Sequence, residues 1–359
     1  GRRAQHTNQN VTASLAEHGT SWLHFHLGIS KEALYPRHSP AVERLLRDLS
    51  HVTIIGADYS PDEKALSGEC DCSQNFLLPS LSSSSVCSIL DFRRVPPVAG
   101  RLVNVTSDIL EVTSNADLES VFFVSPANNV CFFAKCLYMC KTEYAVCGSP
   151  HLMEGSLSAF LPSLAFAPRL SVPSPWIRSY TFTGKEEWEV NPAYCDSIKQ
   201  LPPYNNPQRL LSVIDMAIFD FLIGNMDRHH YEIFTKFGDD GFLLHLDNAR
   251  GFGRHSHDEM TILAPLYQCC MLQEDTWRRL ILLARPEYRL SDVMRESLSR
   301  DGLSIVLTEP HLRALDRRLQ TVLRVVSRCT HVHGEEAVLQ KKPHRTITTH
   351  QRTTTLRGV

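Results

Sequence analysis

The 359-residue chain has no run of about 18 apolar residues, so nothing in it reads as a membrane span. It has no charge excess either. Thirty-seven Lys and Arg face 39 Asp and Glu, a net charge of −2, and the basic footprint of a nucleic-acid-binding surface is missing. There is no internal repeat. With 43% hydrophobic and 21% charged residues, the composition excludes a disordered or collagen-like chain and fits one large domain or two modest ones around a sizeable core. No signal peptide opens the chain. It begins at Gly1 and reads as starting inside a longer protein.

What is plentiful is cysteine, eleven in all. Cys131, Cys136, Cys140 and Cys147 fall within 17 residues, and Cys269 and Cys270 are adjacent. Zinc is one reading, although the spacing lacks paired C-x2-C knuckles. A disulfide framework in an oxidising compartment is the other. The glycosylation sequons at Asn10 and Asn104 favour the second.

Pro40–Ser50 places Val42, Leu45, Leu46 and Leu49 on one helical face. From Val52 to Ser88 the periodicity disappears into Ser, Pro, Gly and Cys, and the stretch reads as a linker. Asn206 as a cap, Pro207 in the first turn and Gly224 at the stop position bound a strongly apolar helix. Thr308–Arg328 predicts a second, amphipathic helix. The polar, Thr-rich tail from about Glu335 reads as disordered. These textures divide the chain into 1–51, an irregular 52–88, a main domain 89–332 and a tail 333–359.

The chemistry-bearing stretch runs from Gly224 to Gly253. The apolar helix delivers Asp227 into a loop. Two strands, Ile233-Phe234 and Phe242–Leu246, are expected to form a hairpin through Gly238–Gly241 and return the chain so that Asp247 emerges beside Asp227. Two such carboxylates suit phosphoryl transfer, one orienting the attacking hydroxyl and one holding a phosphate-bridging metal. Glu232 falls five residues after Asp227, where protein kinases carry Asn, and Asp247 begins Asp-Asn-Ala rather than Asp-Phe-Gly. Solvated turn acids are the plainer reading; they account for Asp239 and Asp240 better than for Asp227 and Asp247.

The blocks ILDFRRVPPVAGR, EGSLSAFLPSL, GNMDRHHYE and HLDNARGFGRHSHDE, with the Cys131–Cys147 cluster, closely resemble the Golgi casein-kinase family, the "family with sequence similarity twenty" group of secretory-pathway kinases. The likeness runs from about Ile89 to residue 330, with a shorter stretch around Leu27–Leu49. CLYMCKTEYAVCG, and Ala249 where an active relative would carry Gly, are most similar to the family's pseudokinase member. The resemblance implies an α+β, atypical kinase-like fold with a mainly helical, disulfide-stapled C-lobe and a truncated or disrupted N-lobe. It implies the bridges Cys131–Cys147, Cys136–Cys140, Cys195–Cys269 and Cys270–Cys329, leaving Cys70, Cys72 and Cys87 over. It places the adenine-side hinge at Ser158, Ala159, Phe160 and Leu161, the loop base at Asp227, and metal at Asp247 and Glu232. ATP with Mn or Mg is the family's cofactor, expected to bind weakly here, since Leu49–Ile89 offers no glycine-rich phosphate loop and Lys64 has no strand around it. The implied partner is an active secretory-pathway kinase paralogue in a heteromer, with a homodimer also admitted. The implied location is the Golgi lumen and the secreted fraction.

The resulting expectation is a pseudokinase that binds and allosterically activates an active Golgi Ser/Thr kinase of secreted, biomineralisation-type proteins. The alternatives are an active Ser/Thr kinase and a disulfide-stapled structural glycoprotein. His229-His230 and His255-x-His257 read as structural or surface histidines rather than metal ligands. Arg93-Arg94 suits a phosphate or an ion pair equally, and Trp176 and Trp188 read as core.

Overall fold

The computed structural model describes residues 20–58, 79–133, 142, 145–179, 184–303 and 305–341. Helices α1 (Ser21–Leu27), α2 (Pro40–His51) and α3 (Pro79–Ile89) precede strand β1 (Val98–Asn104). Strands β2 (Phe122–Val124), β3 (Val130–Phe132) and β4 (Val146–Cys147) form a small antiparallel sheet. Strand β5 (Leu152–Ser158) pairs with β1 from Val98 opposite Ser158 to Asn104 opposite Leu152. Strand β6 (Arg169–Pro173) then leads through short turns to helix α4 (Pro207–Ile223) and strand β7 (His230–Phe234), which pairs back onto β6. The remainder is mainly helical, with α5 (Ala264–Cys269), α6 (Glu274–Leu283), α7 (Leu290–Ser299) and α8 (Glu309–His333).

Helix α4 is the axis of the main core, buried from Arg209 to Ile223 on every side, with Arg209, Asp215 and Asp220 as its buried charges among mostly apolar side chains. Asn206 accepts from the Gln208 amide at 3.0 Å, Pro207 fills the first turn and Gly224 ends it left-handed at φ 77. A side chain on Gly224 would also meet the Arg318 guanidinium at 2.9 Å, so glycine is required there twice over. A smaller core joins Phe25, Leu34, Val42 and Leu45 to Ala159, Phe234 and Leu244, seating the N-terminal segment against the hinge and the strand before Asp247.

Three expectations change. The linker assigned to 52–88 ends earlier, because Pro79–Ile89 is helix α3 with Leu81, Val86 and Cys87 in the main core. Its buried Ser82, Ser83 and Ser84 are small enough to let neighbours approach, and Ser84 donates to the Pro96 carbonyl at 3.0 Å. Hydroxyl residues leave no apolar period to read. The tail begins later than 333: α8 runs to His333, Glu335–Val338 is a helical turn with Val338 fully buried, and β9 (Leu339–Gln340) pairs in parallel with β8 (Leu272–Gln273). The hairpin before Asp247 is reduced to a single bridge between Glu232 and Leu244. Thr235–Asp240 turns as a short helix instead, with Phe237 and Phe242 packed on Phe234.

The structure contains the bridges Cys131–Cys147, Cys195–Cys269 and Cys270–Cys329. Cys87 is a buried free thiol, pushed up to about 11 by burial. Cys136–Cys140, Cys70, Cys72, Lys64 and Asn10 lie outside the described residues.

Candidate functional site

The loop after Gly224 is fixed by a buried ion pair. Arg228 sends Nε and Nη2 to the two oxygens of Asp220, both at 2.9 Å, and Asp220 is 1% exposed. Burial pushes the Asp220 carboxyl up, while Arg228 and Asn225 oppose that. Asn225 donates to Asp220 at 3.1 Å and accepts from the Asp227 amide at 3.1 Å. The same Arg228 reaches across to the segment before Asp247, donating to the Leu246 carbonyl and to Asn248 Oδ1. One guanidinium therefore ties the Asp227 loop to the Asp247 turn, and bidentate geometry fixes both.

Asp247 sits exposed on a left-handed backbone, φ 53, and its carboxylate has no hydrogen-bond or ion-pair partner among the described residues. Asp227 is near Arg250, Oδ2 to Nε 3.6 Å, and its carbonyl meets His229 Nδ1 at 2.6 Å. Burial pushes His230 down, with Asp247 and Glu232 opposing, so His230 feels both carboxylates. Through Arg228 the structure brings the Asp227 loop against the turn that carries Asp247. Glu232, however, is already held by Arg169 at 2.8 Å.

No group of three or more His, Cys, Asp or Glu capable of holding a metal occurs among the described residues. A self-sufficient metal centre is therefore not built from them. Mg²⁺-type sites use one or two carboxylates and complete themselves with nucleotide phosphates; of the two residues expected to hold metal, Asp247 is exposed and Glu232 is engaged by Arg169.

In the segment expected to form the hinge, Ala159 is buried and its amide donates to the Pro97 carbonyl at 2.9 Å. The Phe160 carbonyl meets His26 Nε2 of α1 at 2.8 Å, while the Phe160 ring is 69% exposed. Ser158 ends β5, exposed, and Leu161 packs on the smaller core. Trp176 and Trp188 are buried. Arg94 pairs with Asp215 at 3.2 Å, Arg93 with Asp91 at 3.1 Å, and His255 stacks edge-on to His311. Asn104 Oδ1 accepts from the amides of Thr106 and Ser107 at 3.1 and 3.2 Å, fixing the sequon at the end of β1.

Sequence reasoning missed Asp220, Asn225 and Asn248. Asp220 stands inside an apolar helix, and a lone acid on a buried helix next to an Asn-x-Asp-Arg loop is the signal that would have found it. His245, fully buried between Phe92 and Phe219 with neither ring nitrogen partnered among the described residues, was missed too.

Two carboxylate-bearing turns follow a buried helix, an arrangement consistent with the kinase-like fold of solved relatives. The family model described as Golgi casein kinase, C-terminal, Fam20 matches residues 83–338, and the chain belongs to the Fam20 family. It is 62% identical over 368 aligned positions to human Pseudokinase FAM20A, covering 90% of this chain and 68% of that protein. With human Extracellular serine/threonine protein kinase FAM20C the identity is 48%, over 89% of this chain and 59% of the relative. Among solved structures, hydra Fam20 with sugar superposes at a TM-score of 0.79 and 33% identity, covering 90% of this chain and 99% of that one. The Golgi casein kinase with Mn/ADP bound gives 0.81 and 30%, covering 92% and 86%.

Proposed function

We propose that this chain is a secretory-pathway pseudokinase that binds an active Golgi Ser/Thr kinase of secreted proteins and activates it allosterically. The observation that carries the reading is the imbalance of the cleft. Its C-terminal side is held by Arg228, yet on the side of the proposed hinge neither strand of the β1–β5 ribbon carries a lysine. Phosphoryl transfer depends on positioning and charge neutralisation from both sides. Partner binding asks only for a folded surface. The 62% identity to a protein named a pseudokinase supports the same reading.

In this reading Asp227 stands at the position of the loop base, held by Arg250 rather than poised for a substrate hydroxyl. Ser158–Leu161 would meet a nucleotide base. A Mn²⁺ or Mg²⁺ ion, when bound with nucleotide, would neutralise phosphate charge; Asp247 would hold it, and Glu232 would join after leaving Arg169. Asn104 would carry a glycan, in keeping with a Golgi and secreted location.

The test is labelled phosphate transfer to casein by an active Fam20 kinase, with and without this chain. Stimulation that persists when this chain carries Asp227→Ala supports the reading. Absence of any complex or stimulation overturns it.

A further inference from the structure

A cleft of about 650 Å³ lies away from Asp227 and Asp247, between the N-terminal segment, the Ser88–Arg94 turn and the start of α6. Its size is that of small-ligand pockets, about 300–1,000 Å³. Five arginines and four carboxylates line it, and the pairing among them is uneven. The single carboxylate of Asp91 answers two cations, Arg37 at 2.5 Å and Arg93 at 3.1 Å. Arg37 remains 66% exposed at its side chain and commits Nε and Nη2 to Asp91, leaving Nη1 without a hydrogen bond among the described residues. Arg279 donates its Nε to the Ile89 carbonyl at 2.7 Å and forms no ion pair among the described residues.

Two further observations mark the cleft as built rather than incidental. Arg94 lines its buried end at 8% exposure, paired with Asp215, and its Nε has no hydrogen-bond partner. Its Nη1 and Nη2 go to the Ser212 carbonyl and to Asp215, so Arg94 is a fixed positive charge at the floor of the cleft rather than a free donor. Asp91 and Arg93 both hold left-handed backbone, φ 63 and 52, in one turn. Strain of that kind persists where surrounding structure enforces it, commonly at ligand clamps.

We propose that this cleft binds a phosphate monoester. Such a group brings close to two negative charges and three acceptor oxygens, and guanidinium forks match it. A carboxylate brings half the charge and one fewer acceptor oxygen, so it gains less from the same guanidinium forks. The phosphate has two sources, a free phosphorylated small molecule or the phosphoserine of a peptide. The cleft has room for what the phosphate is attached to.

Isothermal titration of the whole chain tests this with four ligands: O-phosphoserine, a phosphoserine peptide, its unphosphorylated serine twin, and its glutamate twin. The expected result is saturable binding of the phosphorylated ligands, about tenfold or more tighter than either twin, weakening as salt rises. Arg279→Ala should cost about tenfold in affinity. Arg279→Lys, which keeps the charge and loses the fork, should also weaken binding if the alanine variant folds poorly. Comparable affinity for O-phosphoserine and the phosphopeptide assigns a small-molecule ligand; marked preference for the phosphopeptide assigns a peptide. Equal affinity for the serine twin, no saturation by either phosphorylated ligand, or full affinity in a folded Arg37→Ala/Arg279→Ala double variant would overturn the proposal.

Discussion

On the C-terminal side of the cleft, a carboxylate 1% exposed takes two bonds from Arg228 and one from Asn225, and the same arginine binds the turn carrying Asp247. On the hinge side, Ser158 and Phe160 are exposed at the end of a two-stranded ribbon, and one hinge carbonyl is met by a histidine from α1. The first region is organised from within by a helix that cannot move without opening the core. The second leans on a short N-terminal helix through a hydrogen bond. Rigid placement of acidic side chains is therefore separable from the capacity to grip a nucleotide from both sides.

Breaking the first region should have the largest effect. Arg228→Ala leaves Asp220 buried without its cation, and such losses cost about 3–5 kcal/mol. Thermal melting should fall steeply, and an apolar double replacement of Asp220 and Arg228 should recover part of the stability. A melting temperature unchanged by Arg228→Ala would show that the pair does not organise the loop.

Next come the bridges flanking α5. Cys195–Cys269 and Cys270–Cys329 close 74- and 59-residue separations in the C-terminal body. Cys195→Ser or Cys270→Ser should each cost about 2–5 kcal/mol, seen as lower melting and reduced secretion. Full reduction without a change in melting would remove this source of rigidity from the account.

The third prediction concerns pH. Burial, with Arg94 and Arg228 nearby, pushes His245 well below its ordinary 6.5, so the folded chain keeps it neutral where the unfolded chain would take up a proton. Stability from this group is complete above about pH 6.5 and is lost as pH falls below it, by at most about 1.4 kcal/mol per pH unit. His230 and His311 shift the same way and add to the slope. Chemical denaturation between pH 7 and pH 5 should show a shallower loss in His245→Leu; an identical slope would contradict the assignment.

The smallest effect belongs to the hinge side. His26→Ala removes one hydrogen bond to the Phe160 carbonyl and should cost about 0.5–1.5 kcal/mol. Hydrogen exchange should quicken around 158–161 and not around 225–231. Equal quickening in both regions would mean that they are not separable.

What the sequence made legible follows the same division. Asn206, Pro207 and Gly224 announce α4 because capping is local chemistry, and the apolar run between them leaves no alternative to burial. The proximity of Asp227 and Asp247 was readable from chain reversal, although Phe237 and Phe242 packing on Phe234 replaced the expected hairpin with a helical turn. Which guanidinium meets Asp220 was not readable, since pairings across the chain leave no periodicity. The helix at Pro79–Ile89 was hidden because four successive serines look like a linker until a neighbouring surface accepts them. Val338 was hidden because one buried residue in a polar tail carries no pattern.

The central claim is that this chain acts on a kinase rather than as one. Its most direct test measures labelled phosphate transfer to casein by this chain alone and by an active Fam20 kinase with this chain added. The account predicts no transfer by the chain alone and a raised rate in the mixture, unaffected by Asp227→Ala in this chain. Robust transfer by the chain alone, abolished by Asp227→Ala, would contradict it.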